Sequence, residues 1–280
     1  YVELPYLMAI VIDCHQHIGQ VTGRPASSAG APDDAGLEPE PKRRADLNLA
    51  LGIDYAIVMP SFEYSTTNGA AAISAVNSEI AAYVRANDFA IAGLGILDPM
   101  SMPEPVGEIS RIGGELGLHG VVWHNRFQRV PINARPVYDS IECADSSLLF
   151  AFHCVAESTM EAPWRLEEVA AAYPNRNFLA MSSLTAWSQC AQMIAICKRQ
   201  SNIYLELGAL IPVGLWVERI VNEVGADRLL FGSDVYTDPV LFRYNYALAE
   251  VDAAHITDEA KERILSLNAL QLFGLSMPKR

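Results

Sequence analysis

His15 and His17 stand two residues apart in Ile12-Asp13-Cys14-His15-Gln16-His17, at the end of an apolar run, Ala9–Asp13. Along a strand, residues i and i+2 point to the same side, so both imidazoles project together. Two neutral imidazoles aimed at one point make half of a metal site, and Zn²⁺ accepts such ligands at about 2.0–2.1 Å. Two more metal-capable side chains hold the same place in other apolar runs. His153 ends Leu148–His153, and Asp234 directly follows Leu229–Ser233. Taken singly, His153 reads as a satisfied core histidine and Asp234 as a turn or N-cap carboxylate. Taken together, four such residues at the same end of three runs favour a metal.

Other polar residues fall nearby. His124 follows the run Gly120–Trp123 and precedes Asn125 and Arg126. It reads either as a site imidazole or as a structural histidine bonded to a loop. Arg126 and Arg129 carry guanidinium forks suited to a substrate carboxylate. Glu157, four residues past His153, could pair with Arg126 or exchange protons, or remain a solvated loop carboxylate. His119 and His255 read as structural, and Trp123, Trp164 and Trp187 as core or pocket wall.

Positioning these residues requires a scaffold, and the chain alternates between two kinds of segment. Short runs rich in Val, Ile and Leu recur at Ala9–Asp13, Ile53–Met59, Ala90–Leu97, Gly120–Trp123, Leu148–His153, Asn177–Met181, Ile203–Leu207 and Leu229–Ser233. Each is too short for a helix, and most lack polar alternation, as strands buried on both faces do. Between them lie amphipathic stripes such as Ile73, Val76, Ile80 and Val84; Val137, Ile141 and Ala144; Leu166, Val169, Ala170 and Tyr173; and Val217, Ile220, Val221 and Val224. Pro163 suits a first helical turn. Eight alternating β and α units predict a parallel sheet closed into a TIM (β/α)8 barrel, whose active site lies at the C-terminal ends of the strands. The competing open sheet would carry a Gly-rich phosphate turn after its first strand, and none is present.

Two segments depart from the repeat. Gln20–Arg44, with Pro25, Pro32, Pro39 and Pro41, reads as a long irregular loop over the catalytic face. Thr257–Leu275 reads as an extra C-terminal helix capped by Thr257. The expected organisation is a single barrel domain over residues 8–280, with Met8 as a natural start and residues 1–7 as an extension.

Composition sets outer bounds. Of 280 residues, 51% are hydrophobic and 19% charged, so a large core is available. The net charge of −13 repels phosphate backbones and anionic lipid, which argues against nucleic-acid and membrane-surface partners and leaves a small-molecule substrate. Five cysteines without a C-x-x-C pair suggest reduced thiols in a cytoplasmic protein. The high apolar fraction suggests a homo-oligomer.

The segments Ile12–His17 (IDCHQH) and Leu230–Asp234 (LFGSD) resemble the opening and closing signatures of the amidohydrolase superfamily. Gly95–Pro99 (GILDP), Gly120–Pro131 (GVVWHNRFQRVP) and Asn268–Gly274 (NALQLFG) are similar to its amidohydrolase-related branch, which contains aminocarboxymuconate-semialdehyde decarboxylase. The resemblance runs from Ile10 onward. It implies a TIM barrel with one or two divalent metals and His15, His17, His153 and Asp234 as ligands, with Asp234 also taking a proton from water. Most such proteins hydrolyse amides or esters, and the branch also holds decarboxylases and hydratases. One departure stands out: the branch usually ends its sixth strand in a histidine, where this chain offers Met181 or Ser182. A thioether transfers no proton, and a serine hydroxyl is a poor base. The fourth strand has no lysine for a bridging carbamate, which favours one metal over two. His124 could supply the missing imidazole.

The resulting expectation is a hydrolase that uses one divalent metal, Zn²⁺ first with Mn²⁺ or Fe²⁺ as alternatives, on a small carbonyl, ester, lactone or amide substrate. The alternatives are a metal-dependent decarboxylase or other carbon–carbon lyase of the same fold, and a barrel that has lost catalysis and serves as a binding protein.

Overall fold

In the computed structural model, which describes residues 10–19, 38–61, 64, 69–99, 105–238 and 240–278, eight parallel strands pair in chain order. They are β1 (Ile12–Ile18), β2 (Tyr55–Pro60), β3 (Ala90–Gly95), β4 (Gly120–Trp123), β5 (Leu149–His153), β6 (Phe178–Met181), β7 (Ile203–Glu206) and β8 (Leu229–Leu230). The sheet closes on itself. Cys14 donates its backbone N–H to the Phe231 carbonyl at 3.0 Å, and His17 donates to that of Val235 at 3.1 Å. Gln16 and Val235 add a parallel bridge. A small hairpin, β9 (Tyr236–Thr237) and β10 (Val240–Leu241), follows β8. The architecture is the TIM (β/α)8 barrel that the alternating pattern predicted.

The helices are α1 (Glu40–Leu51), α2 (Gly69–Ala86), α3 (Pro105–Gly113), α4 (Asn125–Gln128), α5 (Arg135–Cys143), α6 (Pro163–Ala172), α7 (Trp187–Arg199), α8 (Trp216–Glu223), α9 (Tyr246–Ala253), α10 (Asp258–Glu262) and α11 (Asn268–Leu272). Their apolar stripes face the sheet: Ile80, Ile141, Val169 and Ile220 pack with the outward-facing Val58, Phe152, Ala180 and Leu205 in one buried layer. Inside the barrel a second cluster holds Ile57, Met59, Leu94, Val122, Ala151, Leu179 and Met181. Ala269 and Leu270 of α11 and Phe273 at its C-cap join it, beside Tyr55, Ile91 and Tyr204 near the strand beginnings. The C-terminal helix therefore stoppers the N-terminal mouth, so a site must use the opposite end.

Several expected boundaries shift. β1 runs on to Ile18, so His15 and His17 lie inside a strand, and its ladder with β2 slips between Asp13 and Gln16. β8 pairs only over Leu229–Leu230. The expected loop Gln20–Arg44 lies outside the described residues at 20–37, and Glu40–Arg44 form the first turn of α1 instead. Two of its prolines start this helix, because Pro39 caps it and Pro41 sits in the first turn, where no N–H is needed. The extra C-terminal helix contains a π turn, Arg263–Leu267, between α10 and α11. There the Ile264 carbonyl accepts from the Phe231 N–H at 2.8 Å, a bond diverted to the barrel wall. Thr257 does cap this helix, accepting from the Ala260 N–H at 3.2 Å.

Candidate metal centre

β1 and β5 deliver three imidazoles to one buried point. The ring nitrogens of His15, His17 and His153 available to a metal all lie within 4.8 Å of one another. His15 Nε2 and His17 Nε2 are 2.9 Å apart. Asp234, just past β8, places Oδ1 at 3.3 Å from His15 Nε2 and 3.2 Å from His17 Nε2. It adopts φ +61°, a left-handed backbone unusual for a residue other than glycine and characteristic of sites where geometry overrides local preference.

The opposite nitrogen of each ring is already committed. His17 Nδ1 donates to the Pro60 carbonyl at 2.8 Å, and His153 Nδ1 to the Trp123 carbonyl at 3.0 Å. His15 Nδ1 faces Glu206 Oε1 at 3.2 Å. A carbonyl only accepts, so in His17 and His153 these contacts place the proton on Nδ1 and leave Nε2 as a lone pair. His153 Nε2 is buried and has no hydrogen-bond partner. Three Nε2 atoms converge there, of which that of His153 is left unsatisfied at a cost in a dry interior, and one cation would satisfy them together. The donor set therefore fits a divalent metal, and the oxygen of Asp234 completes a mixed nitrogen and oxygen shell.

The carboxylates around His15 favour positive charge on that side of the cluster. Burial opposes a charged His15, but Glu206, Asp234 and Asp13 outweigh it and push the imidazole up to about 9. Burial drives His153 well below the usual histidine value, with the neighbouring His124, His15 and His17 adding to it. Burial likewise lowers His17. Asp234 is desolvated, yet His15 and His17 hold its carboxyl below the ordinary range.

The segments that carry His15, His17 and Asp234 are clasped from behind. Asp13 accepts from the backbone N–H of His15 at 3.0 Å and of Ser233 at 2.9 Å, and from the Ser233 hydroxyl at 2.5 Å, which ties β1 to the segment after β8. Arg44 of α1 is fully buried; it donates to the His17 carbonyl at 2.5 Å, Thr237 Oγ1 at 3.1 Å, Gln16 Oε1 at 3.1 Å and Glu40 Oε1 at 2.7 Å. Glu206 ends β7 and also accepts from the backbone N–H groups of Ser182 and Gly208. A Cβ at Gly208 or Gly232 would collide with this carboxylate, so both positions require glycine.

A fourth imidazole lies against the cluster. His124, after β4, stacks on His153 with ring centres 4.0 Å apart and planes 4° from parallel. Its Nδ1 is 2.6 Å from Glu161 Oε1, which also accepts the Arg126 backbone N–H at 3.0 Å. Burial, only partly offset by Glu161, holds His124 below the usual histidine value. The bond to Glu161 leaves Nε2 as the nitrogen able to trade a proton with a substrate.

Arg126 pairs with Glu157 at 3.1 Å in a partly exposed position, while Arg129 is exposed at the end of α4. Trp123 is buried, but Trp164 and Trp187 are 43% and 52% exposed, contrary to the reading of all three as core or pocket wall. The end of β6 offers Met181, buried in the barrel interior, and Ser182, and no imidazole. Sequence reasoning overlooked Glu206, Asp13, Glu161 and Arg44. For Glu206 a signal existed: it is an acid inside the apolar run Ile203–Leu207. Glu161 offered none, since only folding brings it to His124.

Comparison with known proteins agrees with this fold. The model of a family described as amidohydrolase matches residues 12–275. The structure is similar to 5-carboxyvanillate decarboxylase from Sphingomonas paucimobilis, with a TM-score of 0.72, 16% identity, and coverage of 96% of this chain and 100% of that one. It is similar to 5-carboxyvanillate decarboxylase from Novosphingobium aromaticivorans complexed with manganese and a nitrobenzoic acid, with a TM-score of 0.69, 15% identity and coverage of 98% and 97%. For 2,6-dihydroxybenzoate decarboxylase from Rhizobium the TM-score is 0.67, with 13% identity and coverage of 95% and 98%. At such identities the likeness is one of fold. No curated protein sequence matches the chain.

Proposed function

The chain belongs to the amidohydrolase family, and from that premise we propose that it is a hydrolase using one divalent metal on a small carbonyl, ester, lactone or amide substrate. The observation carrying this reading is the convergence of three buried Nε2 atoms, each on a ring whose Nδ1 is already engaged, with a carboxylate against two of them. His15, His17, His153 and Asp234 would hold the ion. Zn²⁺ is the first choice for such donors, with Mn²⁺ or Fe²⁺ as alternatives. When bound, the metal supplies Lewis acidity, polarising a carbonyl and lowering the pKa of water from 15.7 towards about 7.

The remaining chemistry falls to the protein. Asp234, held in its ionised form, takes a proton from water as that water attacks the carbonyl. His124, oriented by Glu161, presents Nε2 as a relay that accepts this proton from Asp234 and passes it to the leaving group, the work of the imidazole absent from β6. Arg126 and Arg129 offer guanidinium groups to an anionic part of the substrate, and Glu157 keeps Arg126 extended.

A second reading is non-oxidative decarboxylation. It is favoured by the His124–Glu161 pair, which could protonate carbon as carbon dioxide leaves, and by the decarboxylases among the structural neighbours. Product analysis separates the two. Release of carbon dioxide from candidate aromatic acids decides for the lyase, and acid plus alcohol or amine for the hydrolase. The purified protein is expected to carry near one equivalent of a divalent metal; a fully active metal-free preparation would sink both readings. Asp234→Ala should abolish turnover with the fold retained by circular dichroism. His124→Ala should lower kcat on the order of 10²-fold or more, and a loss under threefold would assign that ring a packing role only. Among the described residues no helix is long and apolar enough to cross a membrane. A cytoplasmic homo-oligomer completes the proposal, with sedimentation as its test.

A further inference from the structure

A cavity of about 280 Å³ opens at the same end of the barrel, between the loops that follow β7 and β8. Its walls include Leu207, Leu210, Ile211, Phe242 and Tyr244, and among the described residues no charged side chain lines it. That volume lies just below the ~300–1,000 Å³ of sites enclosing a whole small molecule, and suits one part of a ligand. Three observations connect it with the imidazole cluster. Ser233 lines the cavity and immediately precedes Asp234. Tyr236 stacks on His17 with ring centres 4.4 Å apart and lies 6.4 Å from the ring of Phe242, so a row of rings leads from the cluster to the cavity wall. Ala209 and Phe242 both line the cavity at φ +53°, a left-handed backbone shared with Asp234 at the cluster.

The wall is also unfinished. Phe242 is 44% and Tyr244 83% exposed, apolar surface that a ligand would cover. Two guanidinium groups that reach solvent, Arg126 and Arg129, follow β4. In a ring of eight strands in chain order, β4 and β8 stand opposite each other. Those two guanidinium groups and the uncharged lining of the cavity thus lie on opposite sides of the mouth.

We infer that this cavity holds an uncharged apolar group, the size of one six-membered ring, at the end of a substrate whose reacting carbonyl lies at the imidazole cluster and whose anionic end faces Arg126. The inference rests on the metal-dependent reading above for the reacting group, and on the cavity alone for the apolar one.

The test uses 4-fluorobenzyl alcohol, an uncharged single-ring probe, titrated into the full chain and followed by fluorine NMR. Saturable binding is expected. Phe242→Ala, which removes an exposed wall ring, should weaken it at least fivefold, and so should Ala247→Phe, which fills the cavity. His15→Ala should change it less than twofold. No saturable binding, or binding that responds to His15→Ala and not to Phe242→Ala, overturns the inference. Metal analysis of the same samples separates the two readings. A protein without metal that still binds the ring at Phe242 refutes the metal reading only. A metal-loaded protein that ignores the ring refutes the cavity only.

Discussion

Glu206 shows how much of the candidate site depends on residues that would touch neither metal nor substrate. Its carboxylate faces His15 Nδ1, accepts two backbone N–H groups, and fills space that Gly208 and Gly232 leave open. A carboxylate behind a ligating imidazole fixes its tautomer and raises its basicity. Glu206→Gln keeps the shape and removes the charge, so metal affinity should fall roughly 10- to 100-fold. Competition with a chromophoric chelator would measure this, and an unchanged affinity would reduce Glu206 to packing. His124 belongs to the same scale. Its stacking on His153 and its bond to Glu161 make its orientation a property of two neighbours and not of its own rotamer.

At the scale of elements, the decisive joint is between α1 and β1. Arg44 reaches from the helix to the His17 carbonyl and Thr237, while Glu40 binds Arg44, Thr237 and Tyr83. Breaking a buried ion pair by removing one partner typically costs about 3–5 kcal/mol, because the other charge is left behind. Arg44→Met should destabilise by that order in urea unfolding and also lower metal affinity, since the His17 segment loses its clasp. The same joint predicts an acid response. Burial opposes the Glu40 carboxylate, but Arg44, Thr237 and Tyr83 outweigh it and hold its pKa below the ordinary 4.5. A group depressed on folding stabilises above its unfolded pKa, and that stability is lost as pH falls through the folded value. Stability should therefore drop below about pH 4.5, and Glu40→Gln should flatten that part of the profile. An unchanged profile would show the joint to be electrostatically silent.

For the whole molecule, a barrel has a closing seam, and here the seam runs through the site. β8 pairs with β7 over only two residues, and closure depends on Phe231, Val235 and the Asp13–Ser233 clasp. A metal held jointly by β1, β5 and the segment after β8 would bridge that seam. A ligand bound only by the folded state stabilises it by about 2.7 kcal/mol at 100 times its dissociation constant. For a chain near this size that is roughly 5–10 °C in Tm. Dialysis against a chelator should lower Tm by that order and re-addition of Zn²⁺ should restore it, as followed by calorimetry. A Tm indifferent to metal would mean that the seam holds without it.

Local pattern settled a good deal. The eight buried runs, the helical stripes between them and the placement of His15, His17, His153 and Asp234 at their ends were legible because burial imposes period and composition on neighbouring residues. Boundaries were less legible: Glu40–Arg44 read as loop because Pro39 and Pro41 signal a break, when only their position at the first turn makes them a start. The partners of the candidate ligands were least legible. Glu206 meets His15 across 191 positions of chain, Glu161 meets His124 across 37, and Arg44 meets the His17 carbonyl across 27. The sequence by itself determined a barrel and the four side chains at its mouth, through short-range periodicity. Tertiary structure alone decided which nitrogen each imidazole presents, because hydrogen bonds to distant groups choose the tautomer and distant charges decide what the cluster will attract.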